Sequence, residues 1–383
     1  MHMTIDEGER MRHQELFFLV VAGAVRRCHN GAVDARDLDY TLPEALIAQE
    51  PPAERDGARM LVLDRERGAI THRHVVDLPE LVAPALFVVN DTRVLPARMF
   101  ARKPTGGRVE LLLIERIEGE GAREVWSALL RGVKTLRPGV TLAIEGAEMS
   151  ATLRAVRERG EVELELSSAN GVRAALGAAG RVPLPPYVRR EPDARDAERY
   201  QTVFAAREGS VAAPTAGLHF SDRLLAGLGK AGHRIARITL HVGPGTFAPL
   251  RTDDLTEHRM HAERFDVPHE TAHAIAAARN EGRPVVAVGT TVCRTLESAI
   301  DDQGVVQAGS GETSIFMYPP YRFRVADALV TNFHLPRSTL LALVMAFGGI
   351  EPVKRAYEEA VREQYRFYSY GDAMLLRSSK HER

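Results

Sequence analysis

The chain has 383 residues, 45% of them apolar and 26% charged, fractions typical of globular proteins that exclude wholesale disorder and a membrane-embedded body. At about 100 to 200 residues per domain this length implies two or three domains and a sizeable core. Lys and Arg number 50 against 51 Asp and Glu, a net charge of -1, so the global basic excess of many nucleic-acid binders is missing and any RNA surface must be local.

Only two cysteines are present, Cys28 and Cys293, which excludes a disulfide framework and a Cys-rich zinc site and points to a reducing compartment, the cytoplasm. The apolar stretch at 16–25 falls short of the roughly 20 residues a spanning helix needs, so no membrane anchor is expected. Arg10 and Arg12 precede it as in a signal peptide, but Arg26 and Arg27 stand where a small-residue cleavage site belongs. Residues 1–37 are set apart as an N-terminal extension, disordered or not native.

From 98 to 190, short strand-like runs at 109–114, 125–130 and 162–166 alternate with Gly- and Pro-containing turns, the signature of a small all-β unit. Arg93, Arg98, Arg102, Lys103 and Arg108 lie in a stretch whose only acid after Asn90 is Asp91, and Arg131, Lys134 and Arg137 form a second acid-free run. On one face these would track RNA phosphates, although basic runs are usually solvated surface. The Pro-rich segment at 183–187 reads as the return linker.

Beyond the linker the texture is α/β. Residues 209–221 form a loop of small side chains that lets a ligand approach the backbone and leads into a helix near Asp222, whose N-terminus offers unpaired N–H groups to an anion. A tightly packed turn explains the same composition, but the loop carries His219. His241 sits where a strand ends in a Gly-Pro-Gly turn, a position suited to a general base because imidazole titrates near neutrality. His258 and His261 are three apart, which predicts one shared helix face, and Glu263 follows. That trio admits a zinc-like site, but it is not the His-Glu-x-x-His pattern, and no metal is expected.

Residues 285–288 read as a short buried strand, Gly289 as a turn, and 293–300 as helical, so Gly289, Thr290 and Thr291 make an anion-friendly junction with Arg294 one turn along. Asn332 and His334 cluster at the next junction, before a helix over 340–347 capped by Ser338 or Thr339 and stopped by Gly348 and Gly349. Pro352 suits the first turn of a further helix that carries Val353, Tyr357, Ala360, Val361 and Gln364 on one face.

Several segments are longer than loose patterns: Leu42-Pro-Glu-Ala-Leu-Ile-Ala-Gln49, Asn90-Asp-Thr-Arg-Val-Leu-Pro-Ala-Arg98, Pro183-Leu-Pro-Pro-Tyr187 and Glu198-Arg-Tyr-Gln-Thr-Val203. They are followed by Ser210-Val-Ala-Ala-Pro-Thr-Ala-Gly-Leu-His-Phe220, Leu240-His-Val-Gly243, residues 258–263 and Val288-Gly-Thr-Thr291. Leu329-Val-Thr-Asn-Phe-His-Leu-Pro-Arg-Ser-Thr-Leu340 and Ser369-Tyr-Gly-Asp-Ala-Met-Leu375 close the series. In this order the chain resembles the S-adenosylmethionine:tRNA ribosyltransferase-isomerases of queuosine synthesis from about 39 to 376. Ser314 departs from the family, which usually has an acid there, and 1–37 have no counterpart.

The resemblance implies a mixed α/β main domain, 38–97 and 191–383, interrupted by a small β-barrel over 98–190. It implies a transferase that moves and isomerises the ribosyl part of S-adenosylmethionine onto the aminomethyl group of preQ1 at the tRNA wobble position, yielding epoxyqueuosine, adenine and methionine. S-adenosylmethionine is then a consumed substrate and no cofactor is needed. The sulfonium acidifies the adjacent ribose C–H, a base removes that proton, adenine leaves and the amine attacks. Combined with the residue chemistry, this makes His219, His241 or His261 the expected base, with Glu263 orienting or sharing protons. Asn90, Thr92, Arg93, Thr215, Gly217, Gly289, Thr290, Thr291, Arg294, Asn332, His334 and Asp372 become expected substrate contacts. The expected partners are preQ1-modified tRNA and S-adenosylmethionine, with the protein a monomer away from membranes.

Overall fold

The computed structural model describes residues 34–131, 137–157, 160–243, 250 and 254–381. Of the expected N-terminal extension over 1–37, residues 1–33 lie outside them, as do Lys134 and the Gly-Pro-Gly turn from 244 onward, whereas Ala35–Leu38 form a 3-10 turn.

In chain order, β1 (Arg59–Asp64), β2 (Ile70–His74), β3 (Leu86–Asn90) and β4 (Thr92–Val94) come first. The next strands are β5 (Arg98–Arg102), β6 (Arg108–Glu120), β7 (Arg123–Arg131), β8 (Thr141–Ile144), β9 (Ser150–Val156) and β10 (Glu161–Ser167), followed by helix α1 (Val172–Ala179). The chain returns through β11 (Arg207–Ser210), α2 (Asp222–Lys230), β12 (Arg234–Leu240), β13 (Glu263–Val267), α3 (His269–Asn280) and β14 (Val285–Val288). It ends with α4 (Thr290–Ser298), β15 (Gly309–Thr313), β16 (Ala328–Asn332), α5 (Thr339–Gly348), α6 (Ile350–Arg362) and β17 (Ala373–Arg377).

Strands β5 to β10 close into an antiparallel barrel in the order β10-β7-β6-β5-β8-β9. The sequence alternation explains the closure: Val162, Leu164 and Leu166 of β10 point inward while Glu161, Glu163 and Glu165 are only half-buried, and Val109, Leu111 and Leu113 of β6 do the same. Val172, Ala175 and Leu176 of α1 pack into the same core. Closure leaves no unpaired edge in a unit this small.

The main sheet has nine strands in the order β15-β13-β12-β3-β14-β16-β17-β1-β2. Its centre, β12, β3, β14 and β16, is parallel. Strands β3, β14 and β16 are buried at every position, as a strand covered on both faces must be. From β3 the next parallel strand lies on one side and β14 on the other. This reversal opens a crevice beyond the strands' C-terminal ends, where ligands bind in open α/β sheets. Outgoing β4 and returning β11 pair in parallel, so the root of the barrel is stitched beside that crevice.

Helix ends follow the expected chemistry: Ser221 Oγ accepts from Leu224 N at the start of α2, and Ser338 Oγ accepts from Leu341 N at the start of α5. Gly289, at φ +100, makes the strand-to-helix turn that lets α4 begin at Thr290, three residues before the expected start. Helix α6 buries Val353, Ala356, Tyr357 and Ala360, but it ends at Arg362, so Gln364 is not on its face.

The helix expected across His258 and His261 does not form. A single 3-10 turn, Leu255–Glu257, precedes an irregular stretch, and Glu263 opens β13, which is held between β12 and β15. Cross-strand pairing overrides the i,i+3 spacing, so the spacing argument for a shared metal-binding face lapses.

Candidate active site

The crevice gathers Asn90 from the end of β3, His241 directly after β12, Gly289, Thr290 and Thr291 after β14, and Asn332 at the end of β16. The loop before α2 adds Thr215 and His219. Two clusters result.

The first surrounds Asn332. Its Nδ2 donates to Tyr368 O at 3.1 Å and lies 3.0 Å from His219 Nε2. Because the Tyr368 carbonyl fixes which end of the amide points that way, His219 Nε2 must accept, and its proton resides on Nδ1. Burial pushes the His219 pKa down to about 4, outweighing Asp372, so the ring is neutral near pH 7. A lone pair already engaged by an amide is a poor proton acceptor.

Tyr368 adopts a left-handed φ of 73°, which is costly for a non-glycine residue. Several bonds impose it: its N donates to Phe333 O, its O accepts from Gly371 N and Asn332 Nδ2, and its ring stacks on Tyr187 at 4.2 Å. Tyr187, Asn332, His334 and Tyr368 line a cavity of about 20 Å³, room for one water. The Tyr368 hydroxyl and Asn332 Oδ1 are buried without a partner among the described residues. Beside it, Thr215, Gly289, Thr290, Thr291, Thr331 and His334 line a second small cavity at the N-terminus of α4. His334 Nε2 pairs with Thr331 Oγ1 at 2.8 Å, and burial pushes its pKa down to about 3.

The second cluster surrounds His241 and fills the junction between sheet and barrel. A cavity of about 290 Å³ is walled by His241, Val242, Glu263 and Arg264 from the sheet side and by Ile114, Arg116 and Trp126 from the barrel. Val242 also lines the cavity at α4, so the two spaces are neighbours. His241 Nδ1 lies 2.8 Å from Thr92 Oγ1. Its pKa is lowered, by burial foremost, with Asp91 opposing and Arg207 and Arg264 assisting. Glu263 Oε1 accepts from Gly243 N at 3.2 Å, while Oε2 pairs with Arg294 NH1; both residues are buried. Arg294 Nε donates to Ile315 O, and its NH2 is buried without a partner among the described residues.

Other expected site residues have different occupations. His261 is exposed and does not line the cavity that holds His241 and Glu263. Asn90 Oδ1 accepts from Leu240 N and Thr92 N, and its Nδ2 donates to Leu240 O, so its side chain clamps two strand ends. Asp372 accepts from Arg59 N and Arg366 N, which leaves it a staple within the fold. A Cβ on Gly217 would meet Thr202 Cγ2 at 2.9 Å, a packing constraint away from the cavities. Arg93 is exposed beside a separate open groove with Arg55 and Arg199. Ser314 is exposed just after β15.

The acid-free basic runs are not acid-free in space. Arg98 pairs with Glu110 and Glu191, and Arg102 and Arg108 both pair with Glu145. Arg98, Arg108 and Arg181 also surround the Phe100 ring. Barrel closure brings these acids from distant segments, which weakens the case for a phosphate-tracking face there. Lys103 is half-buried near the Gly107 turn, whereas Arg131 and Arg137 are exposed. Sequence reasoning reaches Gly209 only as the first residue of the small-residue loop and Tyr187 only as the end of the Pro183–Tyr187 motif, and it does not single out Tyr368 or the barrel wall as parts of a site; the adjacency of Tyr368 to the Ser369-Tyr-Gly-Asp372 motif is the one hint of it.

A family model described as "Queuosine biosynthesis protein" matches residues 35–376. An S-adenosylmethionine:tRNA ribosyltransferase-isomerase of Anaeromyxobacter dehalogenans is 55% identical over 343 residues, covering 89% of this chain and 98% of the relative. One of Sorangium cellulosum is 54% identical over 365 residues, covering 89% and 97%. The crystal structure of S-adenosylmethionine tRNA ribosyltransferase from Thermotoga maritima superposes with a TM-score of 0.50 at 36% identity, covering 89% of this chain and 99% of that one.

Proposed function

The chain belongs to the queuosine biosynthesis protein family, and from that membership we propose that it is an S-adenosylmethionine:tRNA ribosyltransferase-isomerase. It transfers and isomerises the ribosyl group of S-adenosylmethionine onto the aminomethyl group of preQ1 at the tRNA wobble position, releasing adenine and methionine and leaving epoxyqueuosine. The observation that carries the reading at this site is the cavity between sheet and barrel, where His241 and Glu263 meet at the C-terminal ends of parallel strands.

His241 is the base in this reading. It is neutral near pH 7 and half-buried, and its Nε2 has no partner among the described residues. His219 serves as a neutral structural element beside Asn332, and exposed His261 takes no part in proton removal. The sulfonium acidifies the neighbouring ribose C–H and His241 takes that proton, the glycosidic bond breaks to release adenine, and the preQ1 amine bonds to the ribosyl carbon as it gives up a proton; the ribosyl carbon–sulfur bond then breaks to release methionine as the epoxide closes. The Glu263–Arg294 pair supplies fixed charge in a dry site, where electrostatic preorganisation is strongest. Thr290 and Thr291 at the start of α4 suit the methionine carboxylate, and Asn332 and His334 suit a nucleobase edge.

The protein works without metal or organic cofactor, as a cytoplasmic monomer; no helix among the described residues is long and apolar enough to cross a membrane. The test supplies S-adenosylmethionine and preQ1-modified tRNA and measures adenine, methionine and the mass added to the RNA, with unmodified guanine tRNA as control. Adenine release that survives exhaustive chelation is expected. No adenine release from the wild-type protein overturns the reading.

A further inference from the structure

We infer that Thr92 and Gly209 are positioning residues for His241, together presenting its Nε2 to the cavity between sheet and barrel; this rests on the ribosyltransferase reading above. Thr92 is fully buried, and its Oγ1 lies 2.8 Å from His241 Nδ1 and 3.4 Å from Arg207 O. A hydroxyl has one proton. When Thr92 donates it to the Arg207 carbonyl, its oxygen accepts from His241 Nδ1–H, every group is satisfied, and the lone pair of His241 is placed on Nε2. No described residue competes for that nitrogen.

Gly209 supplies the space. It lies where the β11–β4 register slips between Glu208 and Ser210, an irregularity of the kind that re-aims neighbouring side chains. Its φ of +147° favours glycine, and a Cβ there would fall 2.7 to 2.9 Å from Cε1, Nδ1 and Nε2 of His241. The imidazole therefore rests directly on bare backbone. Any larger residue displaces the ring and breaks the Thr92 hydrogen bond. The segments that leave for the barrel and return from it thus meet to orient one histidine, which gives the parallel β4–β11 pairing a functional reason.

Charged groups surround this ring on each element packed against it: Asp91 after β3, Glu115 and Arg116 of β6, Arg173 of α1, Arg207 and Glu208 of β11, Glu263, Arg264 and Asp266 of β13, and Glu312 of β15. None of them is altered by substitutions at Thr92 or Gly209, so a change in the His241 pH limb reports on its tautomer and placement.

The experiment compares wild type with Thr92→Val, Thr92→Ser and Gly209→Ala, using adenine release from S-adenosylmethionine with preQ1-modified tRNA and ¹⁵N NMR of histidine-labelled protein, the His241 signals identified with His241→Gln. Expected are a Nδ1–H, Nε2-lone-pair tautomer in the wild type and loss of that preference in Thr92→Val. A kcat loss of about 10- to 100-fold accompanies it in Thr92→Val and Gly209→Ala, with the acid limb of the pH profile displaced and KM nearly unchanged, the scale of a misplaced catalytic group. Thr92→Ser restores both signatures. A wild-type Nε2–H tautomer, or unchanged kcat, acid limb and ¹⁵N shifts in both Thr92→Val and Gly209→Ala, overturns the inference. The NMR signature is read without turnover, so a protein that shows it but releases no adenine overturns the functional reading alone.

Discussion

Replacing His219 by Gln tests whether this buried ring is held neutral by the fold. In the native state its pKa is pushed down to about 4 from the ordinary 6.5, whereas the unfolded chain titrates near 6.5. Between those values the unfolded state binds the extra proton, so the contribution of His219 to stability is complete above about pH 6.5 and is lost as the pH falls through about 4. At 1.36 kcal/mol per tenfold change, the interval is worth ~3 kcal/mol. Gln can still accept from Asn332 Nδ2 but carries no titrating proton. The stability difference between wild type and His219→Gln should therefore shift by ~3 kcal/mol against the wild type between about pH 7.5 and pH 4. His334 titrates in both proteins and cancels. Urea denaturation at a series of pH values measures this, and a difference that stays constant with pH refutes the tautomer and burial argument.

Arg294→Met takes the guanidinium partner away from the buried Glu263 carboxylate and should cost about 3 to 5 kcal/mol in chemical denaturation, while the Glu263→Gln, Arg294→Met double variant regains a large part; a double variant no more stable than Arg294→Met would show that the pair is not coupled. Asn332→Leu deprives His219 Nε2 of its donor and leaves the Tyr368 carbonyl with Gly371 N alone, and should cost about 1 to 3 kcal/mol for the imidazole nitrogen left unpaired, read as a lowered denaturation midpoint; a midpoint within error of the wild type would contradict the Asn332–His219 hydrogen bond. Asp196 is buried and, although burial opposes its charge, hydrogen bonds from Arg190, Tyr370 and Asp193 N hold it below the usual carboxylate range. Its contribution is present above the unfolded carboxylate pKa and lost as the pH falls through the lower native value, so Asp196→Asn should be destabilised at neutral pH and approach the wild type in acid. Parallel stability curves across that range would refute the assignment.

Local patterns make much of the fold legible. Alternation at 109–114 and 162–166 marks barrel strands because a strand with one buried face must repeat every two residues. Ser221, Ser338 and Gly289 mark helix starts because a helix end needs a side-chain acceptor or a positive-φ turn within a residue or two. The same local logic fails at His258 and His261, where a helical spacing is recruited into the approach to β13.

What sequence by itself determined were the strand and helix segments, the α/β class with an inserted β unit, and the family through its long literal motifs. Only the tertiary structure decided which histidine faces a cavity, since His219 and His241 occupy similar junctions and differ in the partner their rings meet. It alone paired Arg294 with Glu263, neutralised Arg98, Arg102 and Arg108 with acids from distant segments, and laid the His241 ring on Gly209. The physical reason is range: caps and alternation act within a few residues, whereas Coulomb pairing, desolvation and steric fit depend on distances that the chain sets only after it has folded.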